Sequence, residues 1–306
     1  MISNLLKYFR LLYLIARHGS FMHSGHDFSR KRHDSLQALR NFTPGRTTSR
    51  SAFGLKIRSF FWRYALTRTV MSEAAFVKTS LFRQGGHLHN PFLNISYVRI
   101  PKSASTSLAF VMLRTIYKDI SEGNLSTAEI NYLADVNLRK TIPLQTSEIF
   151  FTSVRNPFAR IVSVYRDFFE NATDEFLYED YLFGILAKDL SFKIFVRRLQ
   201  QIPDLLKDQH LKPQHLFLDY YKKRQQQIVI LKMDKPGEIA SFLSIYDLEI
   251  PTLNQSTDPY DYRSYYDLET FDTVARIYEK DIKMFHYEQE VQALKVFLYQ
   301  SLVGDR

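Results

Sequence analysis

The segment from Asn94 to Ile116 constrains this chain more than any other. Asn94 to Ile100 is a β-type run that ends at Pro101. Lys102 and the small residues Ser103, Ala104, Ser105, Thr106 and Ser107 follow, and Leu108 to Ile116 reads as a buried helix. The order is strand, loop, helix, and the loop is composed to hold an anion. Small side chains let the backbone approach a ligand. The first N–H groups of a helix have no intrahelical partner, and the helix dipole favours negative charge there. Ser103, Ser105, Thr106 and Ser107 add hydroxyl donors, and Lys102 adds a point charge. The loop is not a Walker A sequence, because it lacks the glycines and its lysine precedes the hydroxyl run. The plainer alternative is a serine-rich turn with a solvated lysine.

A second strand runs into a second helix between Glu148 and Asp167. Phe150, Phe151 and Val154 supply the strand. Asn156 suits the N-cap and Pro157 the first helical position. Ile161, Val164, Tyr165 and Phe168 then recur at helical spacing. Arg155 lies at the carboxyl end of the strand, where open α/β sheets bind ligands, and Ser163 lies two turns into the helix. An arginine fork and a hydroxyl suit a phosphate monoester. A surface arginine and a serine on a helix face would leave the pairing with the first loop unexplained.

Together the two segments resemble the 5′-phosphosulfate loop and the 3′-phosphate motif of sulfotransferases that use 3′-phosphoadenosine 5′-phosphosulfate (PAPS). The second match runs almost without a break from Val154 to Asp167. Asp208-Gln209-His210-Leu211-Lys212-Pro213-Gln214 is similar to an element of the chondroitin and dermatan 4-O-sulfotransferases. Asn254-Gln255-Ser256, Tyr262-Arg263-Ser264-Tyr265-Tyr266-Asp267 and the stretch Ile277 to Tyr287 resemble the closing pattern of that group. The strand and loop are also similar to uronyl 2-O-sulfotransferases. The resemblance spans about residues 94 to 290. It departs from the animal members in having no cysteine, and it implies a bacterial carbohydrate sulfotransferase.

The resemblance implies PAPS as sulfuryl donor, a carbohydrate hydroxyl as acceptor and no metal. It implies a cofactor site built from Pro101, Lys102, Ser103, Ala104, Ser105, Thr106, Ser107, Arg155, Ser163 and Arg263. Lys102 is assigned to the bridging oxygen and the 5′-phosphate. His210 is the leading base, since its ordinary pKa suits proton transfer; a structural histidine is the alternative, and Asp208, Asp167 and Glu170 are the carboxylate candidates. Tyr262, Arg263, Tyr265 and Tyr266 suit adenine or sugar stacking, against simple packing in a chain with nineteen tyrosines. His23, His26 and His33 lack metal-ligand spacing.

With 306 residues the chain is long enough for one α/β domain and an appendage. Strands alternating with helices imply a P-loop-like three-layer fold with a mostly parallel central sheet flanked by helices. Helices are expected over Asn124 to Lys140 (with Ser126 and Glu129 at capping-box spacing), Tyr181 to Leu199 (one or two amphipathic helices), Pro236 to Tyr246 and Thr270 to Phe285, and a buried strand over Gln226 to Met233. The total charge of +9 is uneven: fifteen Lys/Arg from Lys7 to Arg83 face only Asp27, Asp34 and Glu73, which puts +12 before residue 84 and −3 after it. Leu5, Leu6, Phe9, Leu12, Tyr13 and Ala16 form the apolar face of a helix too short and too charged to span a bilayer. Residues 18 to 52 read as linker, and Phe53 to Val77 as helix packed on the core. The expected organisation is a basic arm over 1–52 and a sulfotransferase domain over 53–306, with the PAPS-binding core from about 94. The arm suits peripheral contact with a membrane or an anionic polysaccharide. No nucleic-acid partner is expected, and the cytoplasm is the expected compartment. Two competing classes are a P-loop kinase-like enzyme and a non-enzymatic basic binding protein on a nucleotide fold.

Overall fold

The structure, a computed structural model, describes Tyr13 and residues 87–117, 120, 125–140, 149–171, 185–204, 206–250 and 260–304. Apart from Tyr13, the expected amphipathic helix, linker and aromatic stretch lie outside the described residues, as does Asn254-Gln255-Ser256. The chain divides into two compact units, Ser80–Val164 with Lys207–Arg306, and Met1–Thr79 with Tyr165–Leu206.

The first unit carries the sheet. Its central strands are β1 (His87–Asn90), β2 (Ile95–Val98), β3 (Arg139–Lys140), β4 (Ile149–Val154) and β5 (Ile228–Lys232), in the order β3-β1-β2-β4-β5. β2, β4 and β5 are parallel, and β1 and β3 extend the sheet antiparallel at one edge. The class is therefore the α/β one that the alternation of elements implied. Every residue of β2 and all but the first of β4 are buried, as befits strands covered on both faces. Tyr97 lies opposite Phe151 in the register, and their rings stack with centroids 5.1 Å apart. β5 is less buried than its apolar sequence suggested: Val229 is 41% exposed, because β5 is the last strand on its side of the sheet among the described residues.

β1 has no apolar pattern to announce it. One of its polar side chains is met across the sheet, with His89 Nδ1 3.0 Å from the hydroxyl of Ser96, its register partner. Asn90 shapes the turn to β2: its Oδ1 accepts from the amides of Phe92 and Leu93, and Asn94 closes the turn with a left-handed φ of 52°.

Helix α1 (Ser105–Arg114) follows β2, and its run Ser107 to Leu113 is buried without interruption. It packs with α2 (Thr127–Asn137) and α6 (Pro236–Ser244) into a core that includes Leu108, Leu113, Leu133, Phe151, Leu231 and Leu243. Burial of each such side chain stabilises the fold by roughly 1.5–3 kcal/mol. Ser126 and Glu129 form the expected capping box, but α2 stops at Asn137 instead of Lys140. The chain turns there because Leu138 accepts from the His89 amide at 2.8 Å and Arg139–Lys140 pair with β1. Helix α3 (Pro157–Tyr165) follows β4, and α5 (His215–Lys222) precedes β5. The expected helix over Thr270 to Phe285 is two helices, α7 (Leu268–Ile277) and α8 (Glu279–Met284), before α9 (Glu288–Gly304). The break falls at Tyr278, whose buried hydroxyl donates to the Leu211 carbonyl at 2.8 Å.

In the second unit Arg166–Glu170 forms a π turn. The extra residue shifts the helical phase, so Phe169 and not Phe168 is the buried one. Phe169 packs on Phe195 of α4 (Phe192–Gln201), ring centroids 4.7 Å apart. This helix, the later part of the expected Tyr181–Leu199 stretch, starts at Phe192, where Ser191 caps it; residues 181–184 lie outside the described residues. No helix among the described residues is long and apolar enough to cross a membrane.

The capping box is formed by Ser126 and Glu129 alone, neither of them a candidate site residue, so its removal reads helix stability. Ser126→Ala should lower the denaturation free energy by about 1 kcal/mol, seen as a lower urea midpoint at unchanged slope. An unchanged midpoint would show that the cap is redundant.

Candidate active site

The loop after β2 is strained and tightly held. Lys102 and Ala104 both have left-handed backbones, with φ of 66° and 59°. Each such conformation costs a non-glycine residue roughly 1–2 kcal/mol, so the surroundings must enforce it. Ser103 is fully buried, and its hydroxyl donates to the Ile100 carbonyl at 2.7 Å. The Ser153 hydroxyl donates to the Ser103 carbonyl and is itself 3.1 Å from the Tyr97 hydroxyl. The Ser103 hydroxyl, expected to face an anion, donates inside the loop and helps hold its shape. Ala104 stands at the N-cap of α1 and supplies no side-chain cap, and the first turn has no acidic residue. Ser126, Ser191 and Asp267 cap α2, α4 and α7 with side-chain oxygens. The N-terminal amides of α1 thus face the loop with no side-chain oxygen from the cap, next to half-buried Ser105 and Thr106 and buried Ser107.

Arg155 follows the last residue of β4, the neighbour of β2, so both loops leave the same edge of the sheet. The Gln214 side chain grips its main chain on both sides. Arg155 N donates to Gln214 Oε1 at 3.0 Å, and Gln214 Nε2 donates to the Arg155 carbonyl at 2.8 Å. Asn156 caps α3 as the sequence indicated, accepting from the Phe158 amide at 2.9 Å, while its own amide donates to Asp234 at 2.7 Å. Ser163 is half-buried two turns along α3.

The third part is the segment Asp208–Gln214. Asp208 Oδ1 accepts from the His210 amide at 2.9 Å and lies 2.7 Å from His210 Nδ1. With Nδ1–H donating to a carboxylate, neutral imidazole carries its acceptor lone pair on Nε2. Asp281, fully buried on α8, accepts from the amides of Gln214 and His215 at 2.6 and 2.9 Å and lies 2.6 Å from His215 Nδ1. Asp281 therefore fixes Gln214, and Gln214 fixes Arg155.

Arg160 joins the parts. It is 1% exposed on α3, and its Nε, Nη1 and Nη2 donate to the carbonyls of Pro101, Lys212 and Gln209 at 2.9, 3.0 and 3.2 Å. The loop after β2 and the segment bearing His210 thus meet on one guanidinium. Lys102 feels the crowding of cations. Burial, and then the charges of Arg155 and Arg160, push its ammonium down from 10.5 to about 8. A dianion placed among Lys102, Arg155 and the α1 amides would relieve that repulsion, which is the arrangement a phosphate-bearing ligand requires.

A family model described as Sulfotransferase family matches residues 87–288, two thirds of the chain. The chain belongs to the sulfotransferase family. Neither a curated protein nor a solved structure matches it. The sulfotransferase domain begins at β1 and closes at the start of α9, and so includes every residue of the three converging segments.

Of the residues singled out in the sequence, this sulfotransferase brings the Pro101–Ser107 loop, Arg155 and His210 into one neighbourhood through Arg160 and Gln214. Arg263 sits in the short turn Tyr262–Tyr265, whose Tyr262 hydroxyl is 3.4 Å from Asn156 Nδ2. Its guanidinium lies exposed, 2.6 Å from the Asp261 carboxylate and 4.6 Å from the Phe297 ring. Tyr266 packs inward, its hydroxyl donating to the Phe158 carbonyl at 3.0 Å, which removes it from the stacking candidates. Asp167 and Glu170 belong to the other unit, where Glu170 pairs with Arg166 at 3.1 Å. Arg160, Gln214 and Asp281 were not identified as site residues from sequence. The one local signal was a charge, Arg160, set among the apolar residues Phe158, Ala159, Ile161 and Val162.

The depressed Lys102 ammonium has a consequence for stability. The unfolded chain keeps this lysine charged up to 10.5, and the folded chain only to about 8. Between those values the unfolded state holds the extra proton, so stability rises with pH through the window; below it the penalty is fully present. Lys102→Met should therefore be more stable than wild type at pH 7, by on the order of 3 kcal/mol, with the gap closing as pH rises towards 10.5. Denaturation midpoints of the two proteins across that range check it. A gap independent of pH would mean that Lys102 is not electrostatically strained.

Proposed function

We propose that this sulfotransferase moves the sulfuryl group of PAPS to a hydroxyl of a carbohydrate, a polysaccharide or glycolipid, without a metal. The observation that carries this reading is the pairing of two cationic anion sites at the ends of neighbouring parallel strands, Lys102 with the α1 amides and Arg155 with the α3 turn. PAPS is a nucleotide with two separated phosphate centres, one of them esterified to sulfate. Two such cationic corners on neighbouring strands support a ligand of that kind.

In this reading the α1 amides, Ser105, Thr106 and Ser107 hold the 5′-phosphate, and Lys102 stabilises the negative charge that grows on the bridging oxygen as the S–O bond breaks. Arg155 and Ser163 hold the 3′-phosphate, with Arg155 supplying a bidentate fork. His210 takes the acceptor proton on Nε2, and Asp208 holds the imidazole in that tautomer and stabilises the imidazolium that forms. Arg263 contacts the nucleotide from the Tyr262 turn by exchanging its Asp261 contact for the ligand. The carbohydrate acceptor rests on the likeness of Asp208–Gln214 to the 4-O-sulfotransferase element.

The deciding experiment is transfer of labelled sulfate from PAPS to a panel of glycans, with Lys102→Ala expected to lose at least 10²–10³-fold in turnover. The donor site is tested separately. Wild type should bind adenosine 3′,5′-bisphosphate more tightly than adenosine 5′-monophosphate without metal, and Arg155→Ala should erase the difference, worth roughly 1.5–3 kcal/mol. Preference for ATP–Mg²⁺ in a thermal-shift assay would favour the kinase-like alternative instead.

We further propose that the basic segment before residue 84 docks the enzyme on an anionic membrane surface or polysaccharide at the cytoplasmic face, with no role in chemistry. A chain starting at Phe53 should keep bisphosphate binding and lose salt-sensitive binding to anionic vesicles and acidic polysaccharide. Equal binding by both chains would reduce the arm to a solvated tail.

A further inference from the structure

Arg160 is built into the site in a way that the two anion sites do not explain. Its guanidinium is buried, and each of its three nitrogens meets a main-chain carbonyl. The acceptors are not scattered. Pro101 immediately precedes Lys102, while Gln209 and Lys212 bracket His210. Pro101 begins a loop with two left-handed residues, which keeps its shape only under outside restraint. The other end of the side chain is anchored in α3, whose start is fixed by the Asn156 cap and by the Asp234 carboxylate.

We propose that Arg160 is a positioning residue that locks the Lys102 loop in register with the His210 segment, so that leaving-group stabilisation and proton removal converge on one reacting group. The proposal rests on the sulfuryl-transfer reading for what the two segments do, but the coupling is a property of the protein alone. Arg160 is not itself catalytic, because its nitrogens face carbonyls of the backbone. Only a planar fork with donors pointing in several fixed directions can hold three carbonyls of two segments together. Lysine, a point charge on a flexible stem, keeps the charge and loses the geometry. Misplacing reacting groups by about 1 Å costs on the order of 10²-fold in rate, whereas Arg155 and the α1 amides, which would grip the nucleotide, stay where Gln214 and the helix put them.

The test uses Arg160→Lys and Arg160→Met in the full chain. Turnover should fall about 100-fold in both, with the donor KM and the affinity for adenosine 3′,5′-bisphosphate changed by less than about fivefold, the split expected of lost positioning rather than lost binding. Hydrogen exchange of the protein should show peptides covering 101–104 and 209–213 losing protection together, by about tenfold or more, while α1 and β4 keep their own. Turnover within threefold of wild type in Arg160→Lys overturns the proposal. So does a uniform rise in exchange that includes β4, with turnover and affinity falling in parallel, since that marks a residue needed only for folding. If Arg160→Met does not fold, Arg160→Lys decides. If wild type transfers no sulfate from PAPS, the sulfuryl-transfer reading fails, and the exchange experiment still judges the coupling.

Discussion

Burying a guanidinium among apolar side chains costs several kcal/mol unless its donors are met, and removing the partners of a buried charge is correspondingly destructive. Arg160 meets this demand with carbonyls of the Pro101 loop and of the Gln209–Lys212 segment. The need to satisfy one buried cation therefore forces two stretches of chain, more than a hundred residues apart, to the same point. The rest of the site is arranged around that junction. Asp281 on α8 orients Gln214 through its amide, and Gln214 then holds Arg155 as a neighbouring strand would, donor to acceptor and acceptor to donor. The C-terminal helices thus reach the strand ends through two links of hydrogen bonds.

The same region stores unfavourable energy. Two left-handed residues, a helix start without a side-chain cap and three cations in one corner all raise the free energy of the unliganded protein. In the proposed reading a multiply charged anion would offset each of these terms, by accepting from the helix amides and by placing negative charge among the cations. Local stability is traded for preorganisation, and the hydrophobic packing of α1, α2 and α6 on the sheet supports the difference.

Much of this was legible in the chain itself, and the reason is locality. The loop after β2, the Asn156 cap with Pro157 behind it and the Ser126–Glu129 box are written within a few residues, so composition and spacing reveal them. The elements that escaped are those whose cause lies elsewhere in the sequence. β1 is a polar strand whose histidines each place Nδ1 against a hydroxyl, of Tyr221 and of Ser96. The π turn changes which phenylalanine faces inward, because the aromatic cluster around Phe195 rewards Phe169. Tyr278 breaks a long helix in exchange for a bond to Leu211.

The sequence alone determined the frame of the site: a strand-to-helix loop composed to hold an anion, an arginine at a second strand end and the α/β alternation that lets the two be neighbours. Only the tertiary structure decided which side chains hold the frame. Ser103 was drawn inward to shape the loop, and Arg160 and Gln214 became the joints. The physical reason is that a donor's role is set by which acceptor it meets. Hydroxyls and guanidinia carry the same chemistry wherever they stand in the sequence, and long-range packing alone chooses their partners.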